Sequence, residues 1–191
     1  MKHYDFTDNI RQLLSFIGEK PDREGLKDTP RRVQNMYKEL FKGYNPKLKP
    51  KITVFNNNTD GMKYDEMIID SGKFYSHCEH HMIPFYGKYY FAYIPDKKII
   101  GLSKVARVVN YYSSKLQVQE RLVKEVLDEI ESKIHPLGIA MVMKGRHLCK
   151  EMRGVKNEGE MICSDMRGVF RTKPEARSEF LSIVNGGKNG N

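Results

Sequence analysis

The chain has 191 residues, enough for one domain with a true hydrophobic core and an N-terminal appendage. Its net charge of +9, from 33 Lys and Arg against 24 Asp and Glu, favours polyanionic partners, although stretches such as "KGYNPKLKPK" also read as ordinary solvated surface. No apolar run reaches membrane-spanning length, "MKHYDFTDNI" lacks the apolar centre of a secretory signal, and three widely spaced cysteines make no disulfide framework. A cytoplasmic protein with reduced thiols and no membrane partner is therefore expected.

Taken in chain order, Tyr4 to Gly18 reads as a helix, with Ile10, Leu13, Leu14 and Ile17 at helical spacing. After the polar connector "KPDREGLKDTP" a second helix is predicted, with Thr29 as N-cap, Pro30 at the first helical position and Gly43 as its stop. Val33, Met36, Tyr37, Leu40 and Phe41 form its apolar stripe. From Lys51 the texture changes: "KITVF", "EMIID", "KFYSH" and "FYGKYYFAYIP" are rich in β-branched and aromatic residues, as strands are. Two helices follow, the first capped by Ser103 and reaching about Ser114. The second carries Leu122, Val123, Val126, Leu127, Ile130 and Ile134 on one face, and Pro136 and Gly138 end it. "GIAMVMKGRHLCKEMRGV" and "EMICSDMRGVF" read as strands, Pro174 opens a helix to about Val184, and residues 185–191 read as a flexible tail. This order predicts an α+β fold, an antiparallel sheet with its helices grouped on one face, preceded by an N-terminal helical region over residues 1–50.

Neither G-x-x-x-x-G-K-[ST] nor G-x-G-x-x-G occurs, so any nucleotide is held without a glycine-rich loop. The densest chemistry lies in "SHCEHHMIPF". Cys78 and His81, two residues apart in a turn, have metal-ligand spacing. Read as a strand, "RHLCK" would put His147 and Cys149 on one face. Cys78, His81 and Cys149 then offer three Zn²⁺ ligands with the fourth position open, as in catalytic sites. His80 and His147 would stand near the metal as proton carriers, with Glu79 beside them. The competing reading makes Cys78 and Cys149 small buried hydrophobes, a common state of free cysteines.

A second constellation combines Ser103, Lys104 and Arg107 at a helix start, where free N–H groups, dipole and cations favour an anion; the alternative is a plain N-cap beside two solvated bases. Gln119 and Glu120 open the next helix. A carboxylate there can accept two hydrogen bonds from a guanine edge, or it can simply complement the helix dipole. Arg153 adds a cation close to Cys149.

The motifs "CEHHMIPFYGK", "IGLSKVARVVNYYSSKLQVQERL", "RHLCKEMRGV" and "GVFRTKPEARSEFL", in this order and with "REGLKDTPRRVQNMYKELFKGY" upstream, closely resemble the GTP cyclohydrolase I family from about Phe16 to Ile183. The resemblance implies the tunnelling fold, an antiparallel sheet with two helices on one face, over residues 51–184. It also implies a homodecamer of two pentameric rings with active sites between subunits. The implied reaction converts GTP and water to formate and 7,8-dihydroneopterin triphosphate, which begins tetrahydrofolate and pterin biosynthesis. Position by position it implies Cys78, His81 and Cys149 as zinc ligands, and His80 and His147 as proton-transfer groups. Gln119 and Glu120 would recognise guanine, and Ser103, Lys104, Arg107, Arg153 and Arg32 would hold the triphosphate. Two departures stand out: Cys163 and Arg167, in "GEMICSDMRGVF", replace a Thr/Ser-rich stretch, and the short N-terminal region leaves little room for a regulatory extension. Two other classes remain in view, a basic nucleic-acid-binding protein with structural zinc and a tunnelling-fold relative acting on another pterin or deazaguanine. The bases lack the clustering of a nucleic-acid face, so no nucleic acid is expected as partner.

Overall fold

The structure, a computed structural model, describes residues 4–59 and 61–186; of the expected tail, residues 187–191 lie outside the described residues. Two N-terminal helices, α1 (Thr7–Phe16) and α2 (Thr29–Leu40), precede a short strand β1 (Val54–Asn56). Then come β2 (Ile68–Cys78), β3 (Pro84–Ile94), β4 (Lys98–Ile100), α3 (Ser103–Ser113), β5 (Leu116–Gln117) and α4 (Gln119–Ile134). The chain ends with β6 (Gly138–His147), α5 (Leu148–Glu151), β7 (Glu160–Gly168), α6 (Val169–Thr172) and α7 (Pro174–Val184). Among the described residues no helix is long and apolar enough to cross a membrane.

The main sheet has the order β5-β2-β3-β6-β7 and is antiparallel except for the short parallel pairing of β5 with β2. β1 and β4 pair separately. "EMIID" and "KFYSH" are not two strands but one, running unbroken through Gly72 opposite β3. Strand alternation sorts the side chains into two layers. Phe74, Phe91, Tyr93, Met141 and Met143 face α3 and α4 and bury Val105, Val108, Leu122, Val126 and Ile130. This is the expected pair of helices on one face, and the predicted stripe of α4 is buried along its whole length.

The expectation that all sheet helices share one face is corrected by the C-terminus. Ala92, Ala140 and Val142 point the other way and are covered by Phe170, Phe180 and Val184. Small side chains on those strands leave room for the two phenylalanines, which the helical pattern alone does not reveal. Both predicted caps also move by one position. Asp28 and Leu102 occupy the cap positions, neither with a capping side chain, and Thr29 and Ser103 are the first helical residues. Leu102 is already helical in its backbone (φ −45°, ψ −49°), so the Ser103 hydroxyl does not close the helix end.

Arg167 is structural. It donates to Glu131 (2.6 Å) and Asp165 (2.6 and 2.9 Å) and pairs with Asp128 (2.7 Å), tying α4 to β7. Cys163 packs against the core beneath α4, and burial raises its thiol. An aromatic series, Phe6, Tyr37, Phe41 and His77, joins the N-terminal helices to the end of β2. His77 is buried there, which lowers its affinity for a proton.

Candidate metal centre and active site

β2 stops at Cys78 and β3 starts at Pro84, so five residues must reverse the chain. The Cys78 N–H donates to the Ile83 carbonyl (2.9 Å) and the Met82 N–H to the Cys78 carbonyl (2.8 Å), with Met82 in the left-handed region at φ +55°. That tight turn brings His81 back beside Cys78. Cys149 arrives from the far end of β6, and one ligand atom from each of the three residues lies within 4.8 Å of the others.

The route of Cys149 differs from the strand reading. β6 ends at His147, and Cys149 sits on the helical turn α5, closed by the Met152 N–H on the Leu148 carbonyl (2.9 Å). The ladder runs out there because His147 pairs with Phe85, and the next residue of β3 is Pro84, which has no N–H to give. His147 and Cys149 therefore do not share a strand face. The donor set fits a soft divalent cation. Burial, and then the thiol of Cys78, raise the Cys149 thiol, and a thiolate is the form in which a cysteine binds such a cation.

Glu79 is fastened rather than solvated. Arg121 donates to its carboxylate, to the Leu116 carbonyl (3.0 Å) and, through Nε, to the Gln117 side chain (2.9 Å). The Glu79 N–H donates to the Gln117 carbonyl (3.0 Å). The ligand turn is thus stapled to β5 and the start of α4 by a residue that sequence reading missed, since an arginine beside Glu120 has no signature of its own.

The same cleft, about 230 Å³, is lined by the three ligands, His80, His147, Gln119 and Glu120. Gln119 is buried, with both amide hydrogens on the carbonyls of Met143 (2.9 Å) and Met161 (2.9 Å). Its oxygen therefore faces Nε2 of His147 at 2.9 Å, which makes that nitrogen the N–H donor and leaves Nδ1 with the lone pair. The imidazole lies flat on Phe85, centroids 4.6 Å apart and planes 6° from parallel. Burial lowers the proton affinity of His147, while Glu120 and Glu151 partly oppose the shift. Gly145 permits this arrangement, because a Cβ there would lie 2.4 Å from the Gln119 oxygen. A glycine two positions before a strand histidine was the available signal for it. His80 is exposed at the rim, its Nδ1 3.6 Å from the Cys78 sulfur, and Glu120 is exposed in the first turn of α4.

The predicted anion residues divide. Arg153 joins the cleft's edge, with Nη1 3.0 Å from Nε2 of His81. Ser103 and Lys104 instead line another cleft, of about 830 Å³, together with Asp70, Tyr89 and Asn110. Asp70 and Cys78 are eight positions apart on β2, roughly 25 Å at the rise of a strand. Arg107 is exposed one turn further along α3, and Arg32 lies on α2 beside Asp28 (3.7 Å). The two clefts have no lining residue in common.

The model of the family described as GTP cyclohydrolase I matches residues 6–185. The chain belongs to the GTP cyclohydrolase I family. It is 43% identical over 181 residues to GTP cyclohydrolase 1 of Leptospira biflexa, covering 93% of this chain and 97% of that one. To the protein of the same name from Sulfurihydrogenibium sp. it is 46% identical, covering 94% and 93%. To that of Deinococcus radiodurans it is 46% identical, covering 92% and 81%. The sheet with two helices on one face is the architecture that the motifs implied, and the Cys-His-Cys cluster and the cleft around it stand on its α4 side.

Proposed function

We propose that this protein is a cytoplasmic, zinc-dependent GTP cyclohydrolase I, hydrolysing GTP at guanine C8 to formate and 7,8-dihydroneopterin triphosphate, the first step of tetrahydrofolate and pterin biosynthesis. The observation that carries this reading is one cleft that gathers Cys78, His81 and Cys149 with His147 and Glu120 in a chain of this family. A zinc ion on the three ligands would supply Lewis-acid polarisation and an activated water near neutral pH. The protein's own residues do the rest. Nδ1 of His147 takes and returns protons during imidazole opening and loss of formate, because Gln119 and Phe85 hold its ring and tautomer. His80, at the rim, serves the later proton transfers. Glu120 accepts the guanine N1–H and 2-amino hydrogens, with Gln119 beside it keeping His147 in place. Lys104, Arg107, Arg153 and Arg32 neutralise the triphosphate and the Ser103 hydroxyl donates to it, with α3 adding its N-terminal dipole.

Assembly into rings, two pentamers forming a decamer, belongs to this proposal. Two observations support a site completed by a neighbouring copy. Ser103 and Lys104 line a cleft that shares no residue with the candidate metal cleft of their own chain. Among the described residues both edges of the sheet also leave ladder positions unpaired, β7 at one edge and, at the other, β2 before His77, where the two-residue β5 does not reach, which is what side-by-side closure of sheets requires.

The test is incubation of the full-length protein with GTP, following formate and the fluorescence of the oxidised pterin with and without a zinc chelator. Turnover that stops on chelation and returns with zinc is expected; GTP left intact by zinc-loaded protein would end the proposal. Glu120→Ala should weaken GTP binding tenfold or more while the zinc content stays unchanged, since a hydrogen bond to a charged group contributes about 1.5–3 kcal/mol. Gly145→Ala should lower kcat about tenfold at nearly constant KM, by displacing the Gln119 oxygen from His147.

A further inference from the structure

The register of the sheet sets three lysines side by side on adjacent strands. Lys73 of β2 is opposite Lys88 of β3, and Lys88 is opposite Lys144 of β6. Their strand neighbours Phe74, Tyr89 and Met143 belong to the core under α3 and α4, so the lysines project from the other face. Strands lie about 4.8 Å apart, and like charges directly opposite one another destabilise a sheet. Among the described residues neither Lys73 nor Lys88 has a carboxylate within ion-pair distance. Lys144 is turned to the end of α7, 3.3 Å from the Asn185 side-chain oxygen, with its ammonium over the Tyr90 ring.

One row along the strands, Tyr75 and Tyr86 are opposite each other with rings stacked, 6.0 Å between centroids and 18° between planes. Tyr75 is 67% exposed. These residues wall a cleft of about 460 Å³ whose one lining carboxylate is Glu160, and which shares no residue with the metal cleft. A row of uncompensated ammonium groups works against the sheet by itself. It becomes favourable when a polyanion lies along it, and an exposed aromatic pair about 7 Å away, two residues along the strand, offers a platform for a planar base.

We propose that this face of the sheet is a second nucleotide site, with the oligophosphate along Lys73, Lys88 and Lys144 and the base against Tyr75 and Tyr86. Lys73 also borders the α3 cleft, whereas Lys88, Lys144, Tyr75 and Tyr86 line neither cleft used by the cyclohydrolase reading. ATP is the probe, because its adenine does not present the guanine edge that Glu120 would read. Calorimetric titration of the full-length protein with ATP should detect binding that survives Glu120→Ala, falls tenfold or more in Lys88→Gln, and persists within threefold in Lys88→Arg. Tyr75→Ala should weaken ATP but leave inorganic tripolyphosphate unchanged, and wild-type protein should prefer ATP to tripolyphosphate. Without any nucleotide, Lys88→Gln should melt no lower than wild type, and in the absence of ATP it should turn over GTP as fast as wild type. ATP affinity unchanged in Lys88→Gln would overturn the site. Equal affinity for tripolyphosphate and ATP would overturn the nucleotide assignment, and loss of ATP binding in Glu120→Ala would return the ligand to the metal cleft.

Discussion

Cys149→Ala should leave the protein folded but without zinc, and formate release should fall by about 10³-fold or more, because the activation supplied by a bound metal amounts to several kcal/mol. The expectation rests on the three-sided donor set: with one thiol removed, Cys78 and His81 offer only two atoms, too few to hold a catalytic zinc. Zinc per chain, measured after dialysis, and formate release form the paired readout. Cys163→Ala is the control. Its thiol packs in the core under α4, beside Gln119, and not in the donor set, so the zinc should remain. A Cys149→Ala protein that kept its zinc would remove the metal assignment, and one that lost zinc yet kept its rate would remove the zinc dependence.

His147→Ala should lower formate release by about 10²–10⁴-fold, the usual contribution of a positioned acid–base group, while zinc stays bound. The split between metal content and rate separates this histidine from the proposed ligand Cys149 two residues away. The ring is held by two partners, Phe85 stacked beneath it and the Gln119 oxygen at Nε2. The loss should therefore fall on kcat more than on KM, since the group is expected to touch the reacting atoms and not the triphosphate. A loss of less than tenfold with zinc in place would transfer the proton role to another group, with His80 the next to test.

Much of this was legible in the residues. Six apolar positions at helical spacing predict α4 because a helix beside a sheet must bury one stripe, and all six are buried. The scarcity of cysteine and histidine, with their clustering around residues 78–81 and 147–149, picks out the Cys78, His81 and Cys149 group that the fold brings together. What stayed hidden depends on partners distant in the chain. The end of β6 at His147 follows from Pro84 across the ladder, so the local pattern of "RHLCK" could not reveal that Cys149 leaves the strand. Arg121 acquires its meaning only from Glu79, 42 positions away, and Gln119 only from two carbonyls and an imidazole on other strands.

The sequence by itself therefore determined the helices, the strand-rich middle, the identity of the donor atoms and the family to which the chain belongs. Those depend on local periodicity and on side-chain chemistry, which a linear chain carries without folding. Only the tertiary structure decided how the donors converge, which tautomer His147 holds, which face α7 covers and that Ser103 and Lys104 line a cleft apart from the Cys-His-Cys cleft. Each of these is a matter of register between strands, and register is set by long-range pairing and by the sheet face that must be buried.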